Sequence, residues 1–263
     1  MKLLSICSSS KGNSTFIGTK ERGIAIDVGC SYKAFREGLS AVGADISAVK
    51  AVLVTHEHSD HIKGLLTLTK RVNVPIYAEE PILDYLVKHG NVTSTADLRS
   101  VNELGEIDFD AEISRFPTPH DAEASVGYVF DFRAQRLGFA TDLGHVTETV
   151  RKNLSGCRTV FIEANYQPER LVSNPGYPAY LKARIASDKG HLSNPDSAEF
   201  CAELVRKGTV SLVLGHLSQE NNTPELAYNA VKNRLFSEGL AAEKDFTLNV
   251  ARVHNTAGEY ISF

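Results

Sequence analysis

Cysteine is scarce and scattered in this 263-residue chain. Cys7, Cys30, Cys157 and Cys201 form no C-x-x-C pair and no close-set framework. Neither a cysteine-ligated zinc module nor a disulfide-stapled miniature is expected, and the thiols read as buried and reduced. No apolar run approaches the roughly 18 residues needed to span a bilayer, so no membrane partner is expected. The opening stretch, Met1 to Cys7 followed by three serines, is too short and too soon polar for a secretory signal, which makes the cytoplasm the expected compartment. Charge of one sign is lacking too. A formal balance of −4 gives no global attraction for a polyanion and leaves any such partner to a local basic patch or to bound cations. No linker, charge block or internal period divides the chain, and 42% hydrophobic with 23% charged residues fit an ordinary globular protein. One domain over residues 1–263 is expected.

What is present is alternation of strand-like and helix-like segments. Strands are predicted at Lys2–Ile6, Thr15–Ile17, Gly23–Asp27, Ala51–Val54, Val126–Phe132, Leu137–Ala140, Thr159–Ile162 and Val210–Leu214. Helices are predicted at Ser31–Val42, then from an N-cap at Asp60 through Ile62, Leu65, Leu66, Leu68 and Thr69. Two more fit Pro195–Arg206 and Pro224–Phe236, capped by Asn194 and Thr223 with proline at the first helical position. The pattern predicts an α/β fold of sheets packed together with helices outside.

The densest chemistry follows the apolar run Ala51-Val52-Leu53-Val54, where the chain reads Thr55-His56-Glu57-His58-Ser59-Asp60-His61. His56 and His58 alternate and can pinch one cation on a turn, while Asp60 and His61 can reach a second beside it. Imidazoles with a carboxylate suit Zn²⁺, or Mn²⁺ or Fe²⁺ where oxygen ligands increase. The plainer alternative is a packed histidine beside a helix cap. Three later strand ends add His120, Asp142 and His216; each is a weak signal alone, and their order after the first motif strengthens all three.

This order, H-x-H-x-D-H and then His, Asp and His, resembles the metallo-β-lactamase superfamily. The resemblance implies a four-layer αβ/βα sandwich holding two divalent ions. By matching positions it implies His56, His58 and His120 on one ion, Asp60, His61 and His216 on the other, and Asp142 bridging them. Exported lactamases of this fold often carry cysteine where Asp142 stands, and no inserted arm, large second domain or helical C-terminal domain of other branches is seen here. More narrowly, the chain resembles the small YycJ/WalJ-type proteins in Ser8-Ser9-Ser10-Lys11-Gly12-Asn13-Ser14, Ala25-Ile26-Asp27-Val28-Gly29, His120-Asp121-Ala122 with Val126-Gly127-Tyr128, and Ala140-Thr141-Asp142-Leu143-Gly144. The match continues in Gly190-His191-Leu192-Ser193-Asn194 and in His216-Leu217-Ser218-Gln219-Glu220-Asn221-Asn222. It implies a DNA 5′→3′ exonuclease, with DNA favoured over RNA. One departure is Asn165-Tyr166-Gln167, where the family tends to read Asn-His-Asp.

Two ions about 3.5–4 Å apart can activate a bridging water for in-line attack on phosphorus. Asp60 and His191 are the expected catalytic side chains, His191 as proton donor or phosphate clamp. Asp27 and Asp121 are expected to orient the imidazoles. Lys182, Arg184 and Lys189, with one acid among them, would track a phosphate backbone, with Lys11 and Asn13 contributing; no aromatic stacking platform stands out. His89, His145 and His254 read as structural or surface residues. Two other functions use the same residues: a lactonase or thioesterase, and a non-catalytic module that binds nucleic-acid ends.

Overall fold

The apolar stretches pair into two mixed sheets in the computed structural model, which describes residues 1–263. Each sheet belongs to its own compact unit. The first unit comprises Met1–Glu112, Ala122–Ala124 and Arg252–Phe263. Its strands are β1 (Lys2–Cys7), β2 (Ser14–Gly18), β3 (Gly23–Ile26), β4 (Val49–Leu53), β5 (Ile76–Ala78), β6 (Leu98–Ser100) and β13 (Ile261–Ser262), in the order β13-β1-β2-β3-β4-β5-β6. Strands β3 to β6 run parallel, and Ile26 pairs with Leu53. Their carboxyl ends therefore lie in line, and Asp27 comes beside the start of the histidine motif.

Helix α1 (Tyr32–Ala41) is capped by Ser31 and buries Phe35 and Leu39. The single helix expected after Asp60 is instead two short ones, α2 (Ser59–Ile62) and α3 (Leu65–Thr69), and His58 rather than Asp60 is the N-cap. The break has a packing cause. The Gly64 N–H donates to the Val28 carbonyl at 2.8 Å, and any Cβ at Gly64 would overlap the Val28 and Cys30 carbonyls. Helix α4 (Glu80–Lys88) covers the sheet with Ile82 and Leu86.

The second unit comprises Ile113–Asp121 and Ser125–Ala251. Its strands are β7 (Glu112–Pro117), β8 (Val126–Asp131), β9 (Arg136–Ala140), β10 (Thr159–Glu163), β11 (Ser211–Gly215) and β12 (Thr247–Val250), in the order β12-β11-β10-β9-β8-β7. Strands β9 to β12 are parallel, with Ala140 opposite Ile162 and Glu163 opposite Gly215. That register brings Asp142, Glu163 and His216 to one sheet edge, the carboxyl end where open α/β sheets place their ligands.

Its helices are α5 (Glu148–Leu154), α6 (Pro168–Ser173), α7 (Ala179–Ile185), α8 (Asn194–Arg206) and α9 (Pro224–Phe236). Helices α8 and α9 bury Ala198, Cys201, Leu204, Val231 and Leu235 in the core of this unit. The cap of α8 is Ser193, whose hydroxyl accepts from the Asp196 N–H, and not Asn194. Burial pushes the Cys201 thiol up to about 12 and that of Cys157 up to about 11, as for inert core cysteines. No helix is long and apolar enough to cross a membrane.

Gly29 fixes the loop beneath the histidine motif: its N–H donates to the Asn13 carbonyl at 2.7 Å, and Asn13 N–H donates to the Asp60 carbonyl at 2.8 Å. A Cβ at residue 29 would overlap the Asp60 carbonyl. Gly29→Ala should therefore destabilise the fold by about 3 kcal/mol, whereas Gly105→Ala, with nothing near its Cβ, should be close to neutral. Chemical denaturation of the two variants checks this; similar midpoints would show that the loop yields freely.

Candidate metal centre

In the first unit the site grows from one buried carboxylate. Asp27 follows β3 with a left-handed backbone, φ 57°, which turns its side chain back under β4. Its Oδ1 accepts from the Thr55 N–H at 2.8 Å and its Oδ2 accepts from the Thr55 hydroxyl at 2.8 Å. Oδ2 also lies 2.8 Å from His61 Nδ1. Burial raises the Asp27 carboxyl above its ordinary range, against the pull of His61 and Thr55. The rings of His56 and His61 sit 4.1 Å apart and those of His56 and His58 4.6 Å apart. Asp60 Oδ2 is 3.4 Å from His61 Nε2 and accepts from Asn13 Nδ2 at 3.2 Å. Asn13, expected to meet substrate, is buried with its amide on Ser9, Asp60 and His61; its contacts position the motif.

In the second unit the organiser is Glu163, a residue the sequence reading did not single out. It is wholly buried at the end of β10. Oε1 lies 2.8 Å from His191 Nδ1 and 2.7 Å from His216 Nδ1. Oε2 accepts from the Leu143 N–H at 2.8 Å and the Leu192 N–H at 3.0 Å. Burial alone would raise this carboxyl, but the charges and hydrogen bonds of His191 and His216 hold it down at about 2. The four contacts tie together the loops that carry Asp142, His191 and His216. Asp142, Glu163, His191 and His216 each offer a ligand atom, all within 4.8 Å of one another. Asp142 (φ 59°) and His216 (φ 56°) share the left-handed turn seen at Asp27. His120 is buried with Nδ1 3.1 Å from the Gly190 carbonyl and Nε2 3.5 Å from Asp142 Oδ1.

These contacts test whether the donor set suits a metal. An ionised carboxylate and a carbonyl only accept. His191 and His216 facing Glu163, and His120 facing Gly190, therefore carry their proton on Nδ1. The Thr55 hydroxyl gives its hydrogen to Asp27, so it accepts from His56 Nδ1 at 3.0 Å. In His56, His120 and His216 Nε2 is left as the lone-pair nitrogen, the state in which a neutral imidazole binds a cation. The residues fit divalent ions.

The remaining expected residues fall into place unevenly. Asp121 accepts from the Arg184 guanidinium and has Oδ1 3.5 Å from His120 Nε2. Lys182 Nζ donates to the Val172 carbonyl at 2.6 Å. Lys11 and Lys189 are exposed. His89 stacks on Tyr85, and His145 Nδ1 lies 2.9 Å from the Asp188 carbonyl. In the departing segment, Tyr166 is buried against a cavity of about 450 Å³, and Gln167 accepts from Asn194 Nδ2 at 3.0 Å. Asn194 in turn exchanges two 2.9 Å amide hydrogen bonds with Asn222, joining two of the matching motifs.

The profile of the Beta-lactamase superfamily domain matches residues 22–216. Exodeoxyribonuclease YycJ of Bacillus anthracis is 33% identical over 249 residues, covering 93% of this chain and 92% of that protein. The chain belongs to the metallo-β-lactamase superfamily, among its YycJ/WalJ-type members. Exodeoxyribonuclease WalJ of Streptococcus pneumoniae is 34% identical over 246 residues, covering 92% of this chain and 90% of that one. The superfamily fold is also seen in Zn²⁺-bound PqqB from Methylobacterium extorquens, with TM-score 0.71 and 16% identity over the whole of both chains. Membership and donor set together make this chain a metal-dependent hydrolase.

Replacing the buried carboxylate isolates its role. In Glu163→Gln the amide oxygen can still accept from both imidazoles, but the NH₂ that replaces Oε2 faces the Leu143 and Leu192 N–H donors, the loops lose a shared anchor, and metal affinity should fall about 10–100-fold, measured by chelator competition. The acid side gives a second reading. With its pKa lowered from 4.5 to about 2, Glu163 contributes stability that is complete above the higher value and is lost as pH falls through the lower. Metal-free wild type should thus lose stability more steeply than Glu163→Gln over that window. Unchanged affinity and superimposable acid curves would remove the organising role.

Proposed function

We propose that this hydrolase is a two-metal phosphodiesterase that degrades DNA in the 5′→3′ direction in the cytoplasm. The observation that carries the reading is the pair of imidazoles on Glu163. His216 is buried, whereas the side chain of His191 is 20% exposed on the same carboxylate. A ligand and a proton-handling group side by side are what phosphodiester cleavage needs. The exodeoxyribonuclease names of YycJ and WalJ support DNA as the substrate, and the 5′→3′ direction is the one the family resemblance implies.

In this reading His56, His58 and His120 hold one ion, Asp60, His61 and His216 hold the other, and Asp142 bridges them. A set rich in neutral imidazole favours Zn²⁺, with Mn²⁺ or Fe²⁺ as the alternatives. Two such ions would supply a nucleophile at neutral pH and neutralise charge on the phosphate. Asp27 fixes the ring of His61, and Asn13 fixes Asp60. Glu163 holds the His191 Nδ1 proton in place, so it is in its imidazolium form that His191 would give the Nε2 proton to the leaving oxygen and return to the neutral ring.

Elemental analysis should approach two transition-metal ions per chain. Asp142→Ala should lose both more readily than His216→Ala, since only the first removes a bridge; a persistent single ion in active protein would sink the two-metal reading. End-labelled DNA should be shortened from its 5′ end, and a lactone or thioester cleaved in preference would overturn the substrate class.

His191→Ala should keep its metals and fold while cleavage of ordinary DNA falls about 10²–10⁴-fold. A nitrophenyl phosphodiester, whose leaving group needs no proton, should be spared much of that loss. Equal loss on both substrates would make His191 a phosphate clamp instead, and wild-type rates on both would make it structural.

A further inference from the structure

The cavity beside Tyr166 contains none of the expected metal ligands. It lies within the second unit, between α8, α5 and the loops that follow β9 and β10. Its volume of about 450 Å³ is of the size that takes a small organic molecule. The floor is apolar and aromatic, for Tyr166, Leu192 and Phe200 are buried there. One wall is acidic: Asp196, Glu199 and Glu203 recur at helical spacing along α8, and all three line the cavity. Asp188 joins them from the loop before His191. That loop is fixed, because the Asp188 backbone packs so closely on Gly144 that a Cβ there would overlap it, and the Asp188 carbonyl lies 2.9 Å from His145 Nδ1.

The chain's own cations settle only part of this charge. Arg151 pairs with Glu203 and lies over Phe200, its guanidinium 5.7 Å from the ring centre. Arg234 pairs with Glu199 at 2.6 Å, and Arg206 is taken by Glu238, which does not line the cavity. Asp196 accepts from the Ser193 hydroxyl, and neither it nor Asp188 has a cationic partner. The floor holds an unmet hydroxyl as well. Tyr166 is 7% exposed, and its hydroxyl has no hydrogen-bond partner in the chain. Burial pushes its phenol up, and the negative charges of Asp196 and Glu163 push it further. A buried hydroxyl left unpaired is costly. Carboxylates without a cation beside aromatic rings are the setting in which an organic ammonium or guanidinium is held.

We propose that this cavity binds a small organic cation, whose ammonium or guanidinium head sits against Tyr166 with Asp188 and Asp196 as its counter-charges. Arg151 on Phe200, facing Glu203, is the chain's own version of the same arrangement. The site is separate from the metal centre and stands independently of the nuclease reading. It backs onto that centre all the same: Gly144, two residues after Asp142, and Leu192, next to His191, both line it.

The test is calorimetric titration of the metal-loaded protein with agmatine, which carries one head of each kind, and with the neutral 1,4-butanediol. Agmatine should bind once per chain and more weakly as salt rises, and the diol should not bind. Metal-free protein should bind agmatine equally well, which separates the cavity from amine coordination at the metal centre. Tyr166→Phe keeps the ring and deletes the hydroxyl, and should weaken binding about 10-fold. Asp188→Asn combined with Asp196→Asn should weaken it too and flatten its salt dependence. Both variants should keep wild-type metal content and cooperative unfolding. The absence of saturable agmatine binding, equal affinity for the diol, or wild-type affinity in either variant would overturn the site. Tighter binding of an arginine-centred peptide than of agmatine would overturn the free-cation assignment and give the cavity to a side chain of a partner protein.

Discussion

A single buried carboxylate, Glu163, holds the second unit's part of the site together. It has no water to solvate it, so it must be satisfied by protein groups, and its four partners come from loops far apart in sequence: Leu143, His191, Leu192 and His216. Whatever moves one of these loops leaves a buried charge short of a partner. Asp27 plays the same part in the first unit with Thr55 and His61. Each unit therefore solves the same problem by the same means, an acid at the end of a parallel strand that fixes the tautomer of an imidazole beyond the next strand.

The histidine motif was legible because its residues are contiguous and stand at the end of an apolar run; the fold class followed from the alternation of strands and helices. Glu163 was not legible as an organiser. It ends the apolar strand Thr159-Val160-Phe161-Ile162-Glu163 with no motif of its own, and its weight comes from partners that only the sheet register assembles. A charged residue closing a wholly apolar run was the available signal. The break at Gly64 was hidden for a related reason: the helical spacing of Ile62, Leu65, Leu66 and Leu68 is genuine, and what interrupts it is the backbone of Val28 and Cys30, contacts distant in sequence. The cap of α8 was misplaced by one residue because Ser193 and Asn194 are both good caps, and Asn194 is engaged with Asn222 and Gln167.

The paired amides of Asn194 and Asn222 show what joins strings that look like independent signatures. Asn222 Nδ2 also donates to the carbonyls of Ala164 and Asn165 at 2.8 and 3.0 Å, and Asn165 Nδ2 donates to the His216 carbonyl at 2.8 Å. The segments following β10 and β11 and the one preceding α8 are thus one hydrogen-bonded body, in which every member depends on the others for satisfaction.

The left-handed backbones of Asp27, Asp142 and His216 have an evolutionary corollary. Side chains resist that conformation and glycine does not, so each position stores about 1 kcal/mol or more of strain. Asp27 and His216 offset that strain by satisfying Thr55, His61 and Glu163, so selection for folding alone would drift toward glycine first at Asp142. A lineage freed from its substrate would then lose that carboxylate early and keep the scaffold long afterward. Such a descendant would read as a sound copy of the fold with one strand end gone quiet.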